Sequence, residues 1–193
     1  MQIITAEQGK LLVKFARTTI AGQLDESIGS GDAELEKRLQ EPAFQEKRGV
    51  FVTLHKEGQL RGCIGSLAAS GSIIEGVKDN AINAAFKDYR FPPLRLEELD
   101  LVDLEVSILT EPENLDYSGP DDLLSKLRPQ VDGVIIHKEG RSATFLPQVW
   151  KQLPDGASFL SHLCQKAGLP EDQWRSGDLQ VKTYQVLSFA EKE

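Results

Sequence analysis

The 193-residue sequence predicts an α+β fold, a mainly antiparallel sheet with flanking helices. Three observations carry that reading. Segments with apolar residues at helical spacing are interspersed with segments that alternate apolar and polar residues. Two of the alternating segments are followed by a Glu-Gly pair and a second strand-like arm, the pattern of a tight hairpin. Helices and hairpins do not succeed one another as regular βαβ units, which argues against a parallel sheet.

Residues 5–24 read as an amphipathic helix. Thr5-Ala6-Glu7-Gln8 has the form of a capping box, and Leu11, Leu12, Phe15, Ala16, Ile20 and Leu24 share one face. The Gly/Ser stretch Ile28-Gly29-Ser30-Gly31 follows, then a short charged helix near 33–40 that Pro42 closes. Val50–Lys56 alternates as a strand, Glu57-Gly58 turns it, and 60–67 returns with Gly62 and Gly65 inside it. Ser72-Ile73-Ile74-Glu75 is a second capping box, opening a helix to about Phe86, with Ile74, Val77, Ala81, Ala84 and Ala85 toward the core. Pro92-Pro93 breaks it, because proline lacks an N–H and clashes with a helical turn.

Val102, Leu104, Val106 and Ile108 alternate with Asp103, Glu105 and Ser107, a strand with one apolar and one acidic face. A short helix near 121–127 leads to the second hairpin: 133–137, turn Glu139-Gly140, return 142–146. Helices follow at 147–152 and 157–166, the latter ended by Gly168 and Pro170, and a final strand covers 179–189. The runs Gly49-Val50-Phe51-Val52…His55-Lys56-Glu57-Gly58 and Gly133-Val134-Ile135-Ile136-His137-Lys138-Glu139-Gly140 echo each other; shared hairpin chemistry is the expected reason.

The length suits one domain spanning 1–193, with room for a smaller subdomain inside it. Twenty-two Lys+Arg against 30 Asp+Glu give a net charge of −8, and the excess is local. Between Glu97 and Asp122 stand ten acids and no Lys or Arg, so a nucleic-acid-binding face is not expected there. No apolar run is long enough to span a membrane. The N-terminus lacks a basic region followed by an apolar core, and the two cysteines, Cys63 and Cys164, do not make a disulfide scaffold. The expectation is a soluble cytoplasmic protein.

Leu60-Arg61-Gly62-Cys63-Ile64-Gly65 is the most unusual stretch. Glycines inside a strand mark a bulge or a close approach by backbone or ligand, and Arg61 beside Cys63 favours the thiolate, the nucleophilic form. A small buried hydrophobe in a tight hairpin fits the same cysteine. A Cys–His pair needs a histidine nearby: His55 lies across the same hairpin, and His137 serves only where the two hairpins adjoin. His162 and Cys164 are two apart on a helix and face different ways, so they share no site. Glu75 and Asp79, one turn apart, face either a pocket or solvent. Arg90, in the rigid loop Asp88-Tyr89-Arg90-Phe91-Pro92-Pro93, clamps an anion, contacts a partner, or pairs with Asp88 or the acidic strand. Metal-ligand spacings, a phosphate-binding glycine loop and a serine nucleophile elbow are all missing, so neither a metal nor another cofactor is expected.

At these residues the sequence resembles the AMMECR-type domain family, whose signature hexapeptide is similar to Leu60-Arg61-Gly62-Cys63-Ile64-Gly65. The resemblance runs on through Tyr89–Leu94, Glu97-Glu98-Leu99, Leu104–Leu109, Asp132–Ile136, Phe145–Trp150 and Leu163–Leu169, in consistent order over essentially the whole chain. It implies two unequal subdomains and a site at the hexapeptide for an unknown small molecule or peptide, with Cys63 as the candidate catalytic thiol. Arg61, Gly62, Ile64, Gly65 and Arg90 would be the binding residues. The compact length resembles the stand-alone prokaryotic form of the AmmeMemoRadiSam system, which implies a Memo-like protein and a radical-SAM protein as partners. The radical chemistry would be the partner's, since this chain lacks the three cysteines a cluster needs. A non-catalytic adaptor that docks through the Arg90 loop and the acidic strand 102–109 is the alternative.

Overall fold

The computed structural model of the protein describes residues 4–28, 32–69 and 71–192. The Gly/Ser stretch expected after the first helix falls on 29–31 beyond Ile28, outside the described residues. The chain divides into two compact units, Met1–Leu109 with Leu187–Glu193, and Thr110–Val186.

In the first unit, helix α1 (Ala6–Leu24) starts on the expected capping box: the Thr5 hydroxyl accepts the Gln8 N–H and the Gln8 amide oxygen accepts the Thr5 N–H. Helix α2 (Ala33–Arg38) follows, capped by Asp32, and Pro42 opens a 3₁₀ turn, Pro42–Gln45. Strands β1 (Val50–Lys56) and β2 (Gln59–Ser66) form the first hairpin. Glu57 and Gly58 both take positive φ, 53° and 75°, the mirror-image turn that matches strand twist. Helix α3 (Ile73–Phe86) carries the second capping box, in which Glu75 accepts the Ser72 N–H. A 3₁₀ turn at Leu96–Leu101 then enters β3 (Val102–Leu109).

The second unit holds β4 (Glu113–Asn114), α4 (Pro120–Lys126), the hairpin β5 (Gly133–Lys138) and β6 (Arg141–Phe145), a 3₁₀ turn at Pro147–Lys151, α5 (Gly156–Lys166), a 3₁₀ turn at Gln173–Ser176, and β7 (Gln180–Tyr184). The single final strand expected over 179–189 is in fact two. β7 belongs to the second sheet, ordered β4-β7-β5-β6, whereas β8 (Val186–Ala190) closes the first, ordered β2-β1-β3-β8. Gln185 divides them: its N–H donates to the Thr110 hydroxyl and its carbonyl accepts the Thr110 N–H, both at 2.9 Å. Apolar residues run on through this junction without Gly, Pro or Asp, so periodicity alone joins the two strands.

Each unit has its own core. In the first, Val50, Val52 and Leu54 of β1 and Leu104, Val106 and Ile108 of β3 are buried with Leu12, Ala16 and Ile20 of α1 and Ile73, Val77 and Ala81 of α3. In the second, Trp150 stacks on Phe159 with ring centroids 3.8 Å apart and donates its indole N–H to the Asp132 carbonyl.

The echo between the hairpins goes further than hairpin chemistry. In both units a hairpin is followed by a helix and then by a strand antiparallel to the first hairpin strand: β1-β2-α3-β3 and β5-β6-α5-β7. Counted from the turns, Lys56↔Gln59 corresponds to Lys138↔Arg141, and Leu54↔Gly62 to Ile136↔Ala143. The two ladders differ at one place. The first shifts register between Leu54 and His55, leaving Arg61 as an extra, bulged residue, and the second runs without a shift.

Candidate functional site

The site is built on β2, an edge strand. A bulge inserts one unpaired residue and re-aims the side chains beside it. Here that residue is Arg61, whose side chain turns inward and is only 10% exposed. The two glycines flanking Cys63 have separate packing causes. A Cβ on Gly62 would lie 2.2 Å from the Ala84 carbonyl oxygen, so α3 presses its backbone directly onto β2. A Cβ on Gly65 would lie 2.2 Å from the ring of Phe51, its cross-strand partner, which covers the glycine. Ile64 packs against the apolar core.

Between them, the backbone of Cys63 is held by a side-chain ion pair. The Asp88 carboxylate accepts the Cys63 N–H at 2.9 Å, and Arg90 donates from Nη2 to the Cys63 carbonyl at 3.2 Å. Arg90 also grips Asp88 through Nε (2.9 Å) and Nη2 (2.7 Å). Donor and acceptor of one edge residue are thus satisfied as a neighbouring strand would satisfy them. The loop makes this possible by folding on itself. Asp88 Oδ1 accepts the Arg90 N–H, its carbonyl accepts the Phe91 N–H, and the Leu94 N–H returns to the Ala85 carbonyl. The Asp88 side chain is 2% exposed. The bond from Arg90, aided by the Cys63 N–H, holds its carboxyl far below the usual range against the opposing effect of burial.

Arg61 is engaged in the same way. Its Nη2 donates to Glu98 at 3.0 Å, and Lys56 adds a bond of 2.9 Å to the same carboxylate. The Arg61 and Lys56 bonds lower the Glu98 carboxyl to about 2. The guanidinium carbons of Arg61 and Arg90 lie 6.0 and 5.5 Å from the Phe91 ring centroid. One group is left over: Nη1 of Arg61 is buried and has no hydrogen-bond partner among the described residues.

The Cys63 side chain points away from the helices. Gly62 and Ile64 face the core, so Cys63 falls on the opposite face of the sheet, half-buried and directly across from Thr53. The Thr53 hydroxyl donates to Sγ at 3.3 Å. Glu105 stands opposite Thr53 on the far side, so Cys63, Thr53 and Glu105 form one row across three strands. His55 is on the same face in the next row, opposite Leu60 and Asp103; no hydrogen bond joins it to Cys63 among the described residues. His137 is in the second unit, opposite Ser142 and Gln180 on β5. His162 donates from Nδ1 to the Ser158 carbonyl on α5, and Cys164 is fully buried, where burial pushes its thiol up.

Several expectations meet specific partners. Of the roles open to Arg90, pairing with Asp88 is the one formed. Glu75 is spent on the α3 cap. Of the acidic strand, Asp103 pairs with Lys192 and Glu105 accepts the Ser107 hydroxyl, and β3 lies between β1 and β8 with no free edge. Among the described residues no group of three His, Cys, Asp or Glu side chains is placed to hold a metal. No helix there is long and apolar enough to cross a membrane. The sequence offers Asp88 only as a partner for Arg90 and assigns Glu98 no role in the site, since both look like ordinary surface acids in sequence. Their only signal is proximity to Arg90 and membership of the Glu97-Glu98-Leu99 match. A groove of about 480 Å³ opens in the second unit between Asn114–Tyr117 and Gly177–Lys182, and none of the hexapeptide lines it.

Comparison with known proteins supplies the family. The AMMECR1 family model matches residues 13–189. A protein of Methanothermobacter thermautotrophicus is 41% identical over 97% of this chain and 96% of its own length. One of Methanocaldococcus jannaschii is 39% identical over the whole chain and 94% of its own. The crystal structure of an uncharacterised protein from Pyrococcus horikoshii superposes with a TM-score of 0.75 at 36% identity, covering 98% of this chain and 94% of that one. A hexapeptide with bulged Arg61 and half-buried Cys63, on an α+β frame shared over nearly its full length, therefore belongs to a chain of the AMMECR1 family.

Proposed function

We propose that the protein acts through a thiol site on the open face of its first sheet, with Cys63 as the group that reacts with, or holds, a small molecule or peptide. The observation that carries this reading is a contrast within the hexapeptide. Arg61, Gly62, Ile64 and Gly65 are each taken up by packing or pairing, and the Cys63 backbone is clamped at both polar atoms, yet its thiol is directed out of the core. A purely structural cysteine would be turned inward, as Cys164 is. The clamp fixes the strand, and the Thr53 hydroxyl then orients the sulfur. Arg90 borders the site through the Cys63 carbonyl, Arg61 lies on the inner side of the same strand, and His55 and Glu105 are the titratable neighbours on the open face. With the Memo-like and radical-SAM partners implied by the family resemblance, the site would serve a thiol-dependent step beside their chemistry.

Alkylation of the native chain with iodoacetamide over a range of pH, read by peptide mass, tests the reading. Cys63 is expected to be modified about 100-fold faster than Cys164, which is sealed in the second core. Equal protection of both cysteines in the native state, with release only on unfolding, would sink it.

The adaptor reading has one observation in its favour: Tyr89, at the tip of the Asp88–Phe91 turn, is 95% exposed. Pull-down of the Memo-like and radical-SAM partners by the intact chain and by Tyr89→Ala decides it. Loss of capture with Tyr89→Ala supports docking through this loop, and unchanged capture removes it.

A further inference from the structure

We infer that the thiol site carries an oxyanion subsite at Arg61 and Arg90, so that its ligand presents a carboxylate or phosphate group. The inference rests on the thiol reading for its place in the function, but its evidence is separate. Arg61 is the one residue by which the first hairpin departs from its twin, and the extra residue carries a guanidinium into an interior that is nine-tenths closed to solvent. Glu98 takes Nε and Nη2, leaving Nη1 with two N–H groups and no acceptor among the described residues. Buried donors in folded proteins nearly always have a partner, and an orphaned one is costly. A purely structural arginine here would be expected to find a further acceptor for Nη1, as Arg17 does on the Leu99 carbonyl while its Nη2 reaches the Val102 carbonyl.

The second guanidinium completes the subsite. Arg90 lies against the same Phe91 ring as Arg61, spends Nε and Nη2 on Asp88 and Cys63, and has no recorded acceptor at Nη1 among the described residues. Its side chain is 43% exposed, so it is the arm a ligand meets first. Both guanidiniums lie beside one ring with an Nη1 that has no acceptor among the described residues, and a planar guanidinium suits bidentate binding of a carboxylate or phosphate. The region carries the charge for it: Lys56, Arg61 and Arg90 surround two paired carboxylates, Asp88 and Glu98. Nη1 of Arg61 is closed to solvent and the half-buried Phe91 ring lies beside its guanidinium, so an anion is expected to bind with a shift of that ring. Arg90 bonds the Cys63 carbonyl, so an anion held there lies beside the residue that bears the thiol.

Titration of the full chain with inorganic phosphate and with acetate, against chloride at equal ionic strength, tests this by NMR. The Arg61 and Arg90 Nε–H signals and the Cys63 amide are expected to shift saturably with at least one oxyanion. The arm that saturates at lower concentration names the group. Arg61→Lys and Arg90→Gln are expected to weaken binding by about tenfold. Shifts that chloride reproduces, or binding left intact in both variants, would overturn the subsite. The thiol reading is judged separately by alkylation, so a chain that binds phosphate while Cys63 stays protected retains the subsite and loses only the thiol chemistry. A chain alkylated at Cys63 that binds neither oxyanion does the reverse.

Discussion

Asp88 and Cys63 are 25 residues apart in sequence, and their bond, carboxylate to backbone N–H at 2.9 Å, joins the loop after α3 to the edge of the first sheet. Arg90 closes the same contact from the other side by reaching the Cys63 carbonyl. Loop and strand are therefore held together at the residue whose side chain is offered outward.

Asp88→Ala is expected to lower stability by about 3 kcal/mol, because it strands the Cys63 N–H and removes the partner of Arg90 at a buried position. Urea unfolding measures the loss. Asp88→Asn, which keeps an acceptor oxygen, should recover part of it.

Gly62→Ala should cost about 1–3 kcal/mol, since the added methyl meets the Ala84 carbonyl, a backbone atom that moves only if α3 moves. Gly58→Ala tests a different mechanism. Nothing lies near that position, and only the backbone at φ 75° resists a side chain, at about 1 kcal/mol. Thermal unfolding should therefore show the open turn position to be the milder of the two.

Glu57→Asn and Glu139→Asn should each stabilise the protein by about 0.5 kcal/mol. Both glutamates hold positive φ, 53° and 49°, which asparagine adopts more readily. A lower melting temperature for either variant would mean that the glutamate side chain supports the turn in some other way.

Stability should fall on acidification through the Glu98 carboxyl. Its folded value is lowered from 4.5 to about 2, so the unfolded chain binds the proton more readily between those limits. The contribution is complete above about 4.5 and is lost as the pH falls toward about 2. Glu98→Gln should flatten the denaturation midpoint across that window, and an unchanged slope would remove Glu98 from the account.

Local patterns were sufficient for most of the elements. The boxes at Thr5 and Ser72, the alternation of 50–56 and 102–109, and the two Glu-Gly turns depend on neighbours within a few residues, and each appears where the sequence places it. The site was half visible by the same logic: glycines inside a strand signal close approach, and both are in close contact. What approaches them, Ala84 for one and the Phe51 ring for the other, is a matter of packing.

Tertiary structure decided the rest, because it turns on contacts between distant parts of the chain. The run 179–189 is divided between two sheets by the pairing of Gln185 with Thr110, 75 residues away, and no periodicity records such a bond. Asp88 and Glu98 become members of the site because the fold brings them to Cys63 and Arg61, 25 and 37 residues distant. The bulge at Arg61 is one residue of mismatch between two strands, invisible until both are paired. The sequence alone established the element types, the family resemblance and the glycine-framed cysteine, Cys63. The fold turned the thiol outward, clamped its backbone and left Nη1 of Arg61 without a partner among the described residues, since each of these requires surfaces that meet only after the chain has folded.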